Sequence, residues 1–137
     1  MNEKNQIGDG VLNEEQEIYR ENILDHYKHP QNMGMLDDYS FRHRELNPLC
    51  GDEIEVFIKT DDNKRVIDVK FMGQGCAISQ AAIDMLSEKI KQKSVSEVKT
   101  MTGEMVMEML GIPLSVVRMK CALLSLKTIH KSLEKAS

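Results

Sequence analysis

The chain has no closely spaced pair of cysteines. Its three cysteines, Cys50, Cys76 and Cys121, are an odd number and lie far apart. That distribution argues against the disulfide framework of a small secreted domain. With no secretory leader at Met1-Asn2-Glu3-Lys4, the expectation is a reducing, cytoplasmic setting. No run of about eighteen apolar residues occurs, so no membrane-spanning helix is expected. No block of one charge occurs either. The 18 Lys and Arg are interspersed with the 22 Asp and Glu, for a net charge of -4, which removes the electrostatic case for a nucleic-acid groove. Aromatics are scarce, with three Tyr, three Phe and no Trp against ten Met, so an adaptable, methionine-rich core is expected. The partners that remain are proteins and metal ions.

At 137 residues the chain is the size of one domain and long enough to bury a core without staples. Residues 1–13 carry few large apolar side chains and include Gly8 and Gly10, so they read as a flexible N-terminal tail ahead of a domain over 14–137. Asn13 with Gln16 forms a capping-box pattern that opens a helix ending before Pro30, with Tyr19, Ile23 and Tyr27 on one face. Three strands are predicted, over Tyr39–Leu46, Glu53–Thr60 and Arg65–Met72. The second alternates Ile54, Val56 and Ile58 with Glu53, Glu55 and Lys59. The turn Asp61-Asp62-Asn63-Lys64 joins the last two and lacks the glycine and distal glutamate of a calcium loop.

Helical spacing returns after Cys76, in Ala77, Ile78, Ala81, Ala82, Met85 and Leu86. It recurs around Met105–Leu110 and from about Leu114 to Leu133. A helix, then strands, then helices is the order of an α+β layer fold.

The chemistry-bearing stretches are Asn47-Pro48-Leu49-Cys50-Gly51-Asp52, Gly73-Gln74-Gly75-Cys76-Ala77 and Arg118-Met119-Lys120-Cys121-Ala122. Antiparallel pairing of the second and third strands brings the Cys50 and Cys76 loops to one edge. The helix after Cys76 points its positive end at that thiol, which favours the thiolate. Cys121 also reads as a small apolar residue on a face with Val117 and Leu124. With Asp52 counted, however, three sulfurs and one carboxylate make a four-coordinate set suited to zinc or to iron-sulfur chemistry. Gly73-x-Gly75 alone is a weak phosphate-loop signal, having no third glycine and no Lys-Ser/Thr. His26, His29, His43 and His130 show no ligand pattern. The first two sit near a helix end, where a dipole interaction accounts for them.

These motifs resemble those of the U-type iron-sulfur cluster assembly scaffolds, the NifU-like N-terminal domains. The resemblance runs from about residue 15 to 135. It covers the run from Tyr19 through His26-Tyr27-Lys28-His29-Pro30-Gln31-Asn32-Met33-Gly34, then Asn47-Pro48-x-Cys50-Gly51-Asp52, Gly73-x-Gly75-Cys76-Ala77-Ile78-Ser79 and Lys120-Cys121-Ala122. It implies a three-stranded antiparallel sheet backed by helices. It also implies a metal or nascent [2Fe-2S] cluster on Cys50, Asp52, Cys76 and Cys121, sulfur from a cysteine desulfurase, and delivery to client apo-proteins.

Two departures bear on function. Lys120 stands where the scaffold branch usually has histidine. Lysine or arginine there is usual in the branch of zinc-dependent sulfur acceptors, where Zn2+ would occupy the same four groups and Cys121 would take up sulfur beside Lys120. The 44 residues between Cys76 and Cys121 are few for that second branch. Leu114-Ser115-Val116-Val117-Arg118 replaces the Leu-Pro-Pro-Val-Lys segment read by an Hsp70-type chaperone, which counts against that partner.

Overall fold

A computed structural model describes residues 11–48 and 51–135 of the chain. The expected flexible tail falls largely on residues 1–10, outside the described residues. Its last part belongs to the domain, because Leu12 packs on the core and Asn13 caps the first helix.

Helix α1 (Glu14–Lys28) starts as its capping box predicts. The Asn13 side chain accepts from the Gln16 amide at 2.8 Å, and the Gln16 side chain accepts from the Asn13 amide at 3.1 Å. Strands β1 (Phe41–Asn47), β2 (Asp52–Thr60) and β3 (Val66–Gln74) form an antiparallel sheet in the order β1-β2-β3. The strands lie within two residues of their expected positions. Asn47 pairs with Asp52 and Glu53 with Gln74, so the register stacks the end of β1, the start of β2 and the end of β3 at one edge. At the opposite end, the Asp61 carboxylate accepts from the amides of Asn63 and Arg65, both at 2.9 Å. That carboxylate is spent on turn geometry, as expected of a hairpin.

Four helices follow: α2 (Ala77–Ile90), α3 (Val95–Lys99), α4 (Gly103–Leu110) and α5 (Val116–Leu133). The short α3 was not foreseen. Its N-cap Ser94 closes a capping box with Glu97, and His130 of α5 reaches the Val98 carbonyl at 2.9 Å. Helix α2 occupies the centre, packing on β3, α1 and α5, while α5 lies across β1 and β2. Ile78, Ile83 and Leu86 are fully buried, each worth about 1.5–3 kcal/mol relative to exposure.

The periodicity of α2 predicts one buried face, yet Ser79, Gln80, Asp84 and Ser87 are buried as well. A carboxyl group buried in that position requires hydrogen-bond partners. Its Oδ1 accepts from the amides of Gln31 (3.0 Å) and Asn32 (2.9 Å) and from Asn32 Nδ2 (3.1 Å), and its Oδ2 meets His26 Nδ1 at 2.6 Å. This knot fastens the Pro30–Gly34 turn to the core. His26, in the last turn of α1 as expected, thus has a long-range partner as well.

Candidate metal centre

The chain reverses between β1 and β2 through an Asn47 carbonyl that accepts from the Gly51 amide at 2.8 Å, with Gly51 at φ +73°. Asp52 follows at once and is buried, with its carboxylate turned toward the end of β3. There Oδ1 accepts from the Cys76 amide at 3.1 Å, and Oδ2 lies 3.5 Å from Cys76 Sγ. Gly75 makes this approach possible. It adopts φ +151°, and a Cβ on it would sit 2.3 Å from Asp52 Oδ1 and 2.7 Å from Asp52 Cγ. Only glycine accepts both the dihedral and the contact.

Cys76 is the N-cap of α2, at the positive end of the helix axis. No side-chain capping bond competes for the first-turn amides. The Ser79 hydroxyl donates to the Cys76 carbonyl at 3.1 Å and lies 3.9 Å from Cys76 Sγ, while Gln80 Nε2 donates to Ser79 Oγ at 3.3 Å.

The third donor arrives on α5, whose first turn is capped by Ser115 and which runs back across the sheet. Cys121 is buried on its inner face. One ligand atom from each of Asp52, Cys76 and Cys121 lies within 4.8 Å of the other two. Two sulfurs on a single zinc at about 2.3 Å each stand roughly 3.8 Å apart in tetrahedral geometry. Closing the three donors onto one ion therefore takes about an ångström of side-chain adjustment. The donor set of two thiolates and a carboxylate fits zinc and iron, not magnesium or calcium.

The fourth predicted ligand, Cys50, lies outside the described residues. Lys120 is exposed on α5. It borders a cavity of about 270 Å³ with Leu46, Asn47, Pro48, Leu123 and Lys127. His29 and His43 lie away from the three donors; His43 Nε2 meets Glu45 Oε1 at 2.9 Å on β1. Sequence reasoning quoted Ser79 within the Gly73–Ser79 motif without giving it a role and missed Gln80, whose only signal was a polar residue inside an otherwise apolar helical run.

Residues 18–136 match the family model described as the NifU-like N-terminal domain. Among curated relatives, the chain is 35% identical to the zinc-dependent sulfurtransferase SufU of Bacillus subtilis, over 86% of this chain and 90% of that protein. It is 33% identical to an iron-sulfur cluster assembly scaffold protein IscU of Archaeoglobus fulgidus, over 85% of this chain and 74% of that one. Among solved structures, a putative iron-sulfur cluster assembly scaffold protein for the SUF system from Fervidobacterium islandicum superposes with a TM-score of 0.74. It is 28% identical and covers 86% of this chain and 98% of its own.

Proposed function

Because the chain belongs to the NifU-like N-terminal domain family of U-type iron-sulfur assembly proteins, we propose that it is a scaffold. A labile [2Fe-2S] cluster is built on it from iron and desulfurase-derived sulfur, then passed to client apo-proteins. The observation that carries this reading is the convergence of Asp52, Cys76 and Cys121 within 4.8 Å of one another. With Cys50 as the fourth ligand, the set provides two donors for each of two irons. The cluster is cargo here, and the protein's work is to hold it loosely. Cys76 stands at the N-terminus of α2, and Cys121 is shielded from solvent. Asp52 supplies a hard oxygen among soft sulfurs, the ligand from which iron departs most readily.

A second reading has its own support. The 35% identity to the Bacillus sulfurtransferase extends over nearly all of both chains, and Lys120 precedes Cys121 as in that branch. Zinc on the same four groups would then hold the site until Cys121 leaves it, accepts sulfur from a desulfurase persulfide and passes the sulfur on, with Lys120 favouring the thiolate. The short Cys76–Cys121 interval favours the scaffold.

One experiment separates the two. The protein is incubated without oxygen with iron, cysteine and a desulfurase, and acid-labile sulfide is measured. In parallel, desulfurase turnover is measured with the zinc-loaded protein and no iron. The scaffold reading expects bound sulfide and a visible chromophore, with Lys120→His tolerated. Absence of sulfide, together with several-fold stimulation by the zinc form that Lys120→Ala abolishes, establishes the sulfurtransferase instead.

A further inference from the structure

Two side-chain oxygens stand beside Cys76 Sγ: Asp52 Oδ2 at 3.5 Å and the Ser79 hydroxyl at 3.9 Å. Both lie against the Gly75 backbone, where a Cβ would meet Asp52 Oδ1 at 2.3 Å and Ser79 Oγ at 2.9 Å. The side chain that Gly75 lacks therefore admits both to the Cys76 turn. Asp52 has a place in the proposed centre, whereas Ser79 has none so far. Ser79 is fully buried, so its hydroxyl has no water to turn to. Its proton lies on the Cys76 carbonyl at 3.1 Å, and its oxygen accepts from Gln80 Nε2 at 3.3 Å. The same carbonyl also accepts from the Gln80 amide at 3.2 Å, the bond by which an N-cap carbonyl opens a helix. It stays satisfied if the hydroxyl proton leaves it.

That proton has somewhere to go once the sulfur is a ligand. A free Cys76 carries one S–H, a weak donor, which either neighbouring oxygen accepts. A sulfur bound to a metal has given up its proton and can only accept. Ser79 can then donate to it. Hydrogen bonds to a charged acceptor are about twice as strong as those between neutral groups. The Gln80 Nε2–H stays on the far side of Ser79 Oγ, and a hydroxyl that accepts one hydrogen bond donates the next more strongly.

We propose that Ser79 is a positioning residue for the ligated Cys76 sulfur: its hydroxyl proton turns from the Cys76 carbonyl to Sγ when that sulfur binds a metal, with Gln80 holding the oxygen from behind. The proposal rests on Cys76 being a ligand, which both readings above share. Its consequence is electronic. A donor on Sγ draws electron density from the sulfur, and hydrogen bonds to ligating sulfurs are among the factors that set an iron-sulfur centre's reduction potential.

The test uses Co2+ as the bound metal, because it serves for either reading and its sulfur-to-cobalt charge-transfer band reports the electron richness of the sulfur. The full chain is loaded without oxygen. Ser79→Ala is expected to move that band to lower energy while the ligand-field bands, which report geometry, stay in place. Gln80→Met is expected to move it the same way by less. The double variant is expected to match Ser79→Ala, because Gln80 acts through Ser79. A second measurement needs no variant and decides the matter if Ser79→Ala folds poorly. With an NMR-active cadmium isotope bound, the Ser79 hydroxyl proton is expected to couple to the metal through Sγ. A charge-transfer band left unshifted by Ser79→Ala overturns the proposal alone, as does a Ser79 proton with no coupling to cadmium. A shift of the ligand-field bands as well overturns it in favour of a purely structural role. Absence of any sulfur-to-cobalt band removes Cys76 and Cys121 from the metal, and the site reading falls with the proposal.

Discussion

At the scale of single residues the centre depends on Gly75, because its missing side chain is the space the Asp52 carboxylate fills. Gly75→Ala is expected to push Asp52 out of place and to lower zinc affinity by about 10–100-fold, as loss of a supporting contact at a metal site does. Competition against a chromophoric chelator measures it, and unchanged affinity would separate Asp52 from the metal. The same carboxylate is the hard donor of the set, so Asp52→Ala is expected to keep a reconstituted cluster longer than wild type. Visible absorbance during transfer to an apo-ferredoxin follows the decay, and equal or faster loss in the variant would reject this role. Asp52 and Cys76 were legible because each follows a glycine turn at a strand end, and strand register then brings them together. The Asp84–His26 pair was not, since its partners are 58 residues apart. The one clue was an acid inside an apolar helical run, which says that a partner exists without saying where.

At the scale of elements, the placement of Cys121 depends on how α5 is moored to the sheet. Glu45 of β1 takes part, lying 3.6 Å from Lys127 of α5 and bonded to His43. The His43 hydrogen bond, helped by the Lys127 charge and opposed by burial, holds the Glu45 carboxyl below its ordinary value of 4.5. A depressed carboxyl contributes stability in full above its unfolded value. That contribution is lost as pH falls through the lower folded one. Urea unfolding between pH 6 and pH 3 is therefore expected to show stability falling below about pH 4.5. Glu45→Gln should flatten part of that slope, and an identical slope in the variant would remove Glu45 from the account. Element types followed from period: alternation over Ile54, Val56 and Ile58 became β2, and the 3.6-residue spacing after Cys76 became α2. The burial of α2 on its polar side did not follow, because three neighbours, β3, α1 and α5, close around it.

For the whole molecule, the donors come from the start of β2, the N-cap of α2 and the inner face of α5, so a bound ion ties the first half of the chain to the last helix. An ion that binds only the folded form stabilises it by mass action. Free zinc at a hundred times its Kd is expected to add about 2.7 kcal/mol, or on the order of 10 °C in Tm. Calorimetry with and without zinc measures the shift, and Cys121→Ser should abolish most of it. A full shift in that variant would place the ion elsewhere.

Local patterns in the sequence determined the order of helix, strands and helices, the capping of α1, the hairpin and the candidate ligands, because capping, turn chemistry and periodicity act over a few residues. The tertiary structure alone decided that Cys121 is buried beside Asp52 and Cys76 and not merely packed on an apolar face, since that depends on the angle at which α5 crosses the sheet. It alone decided that Lys120 faces Pro48 and Lys127, and that the polar side of α2 is buried, with Asp84 satisfied and Gln80 left with an orphaned acceptor. The physical reason is one of range: long-range contacts are chosen by the packing of whole elements, and no window of sequence contains them.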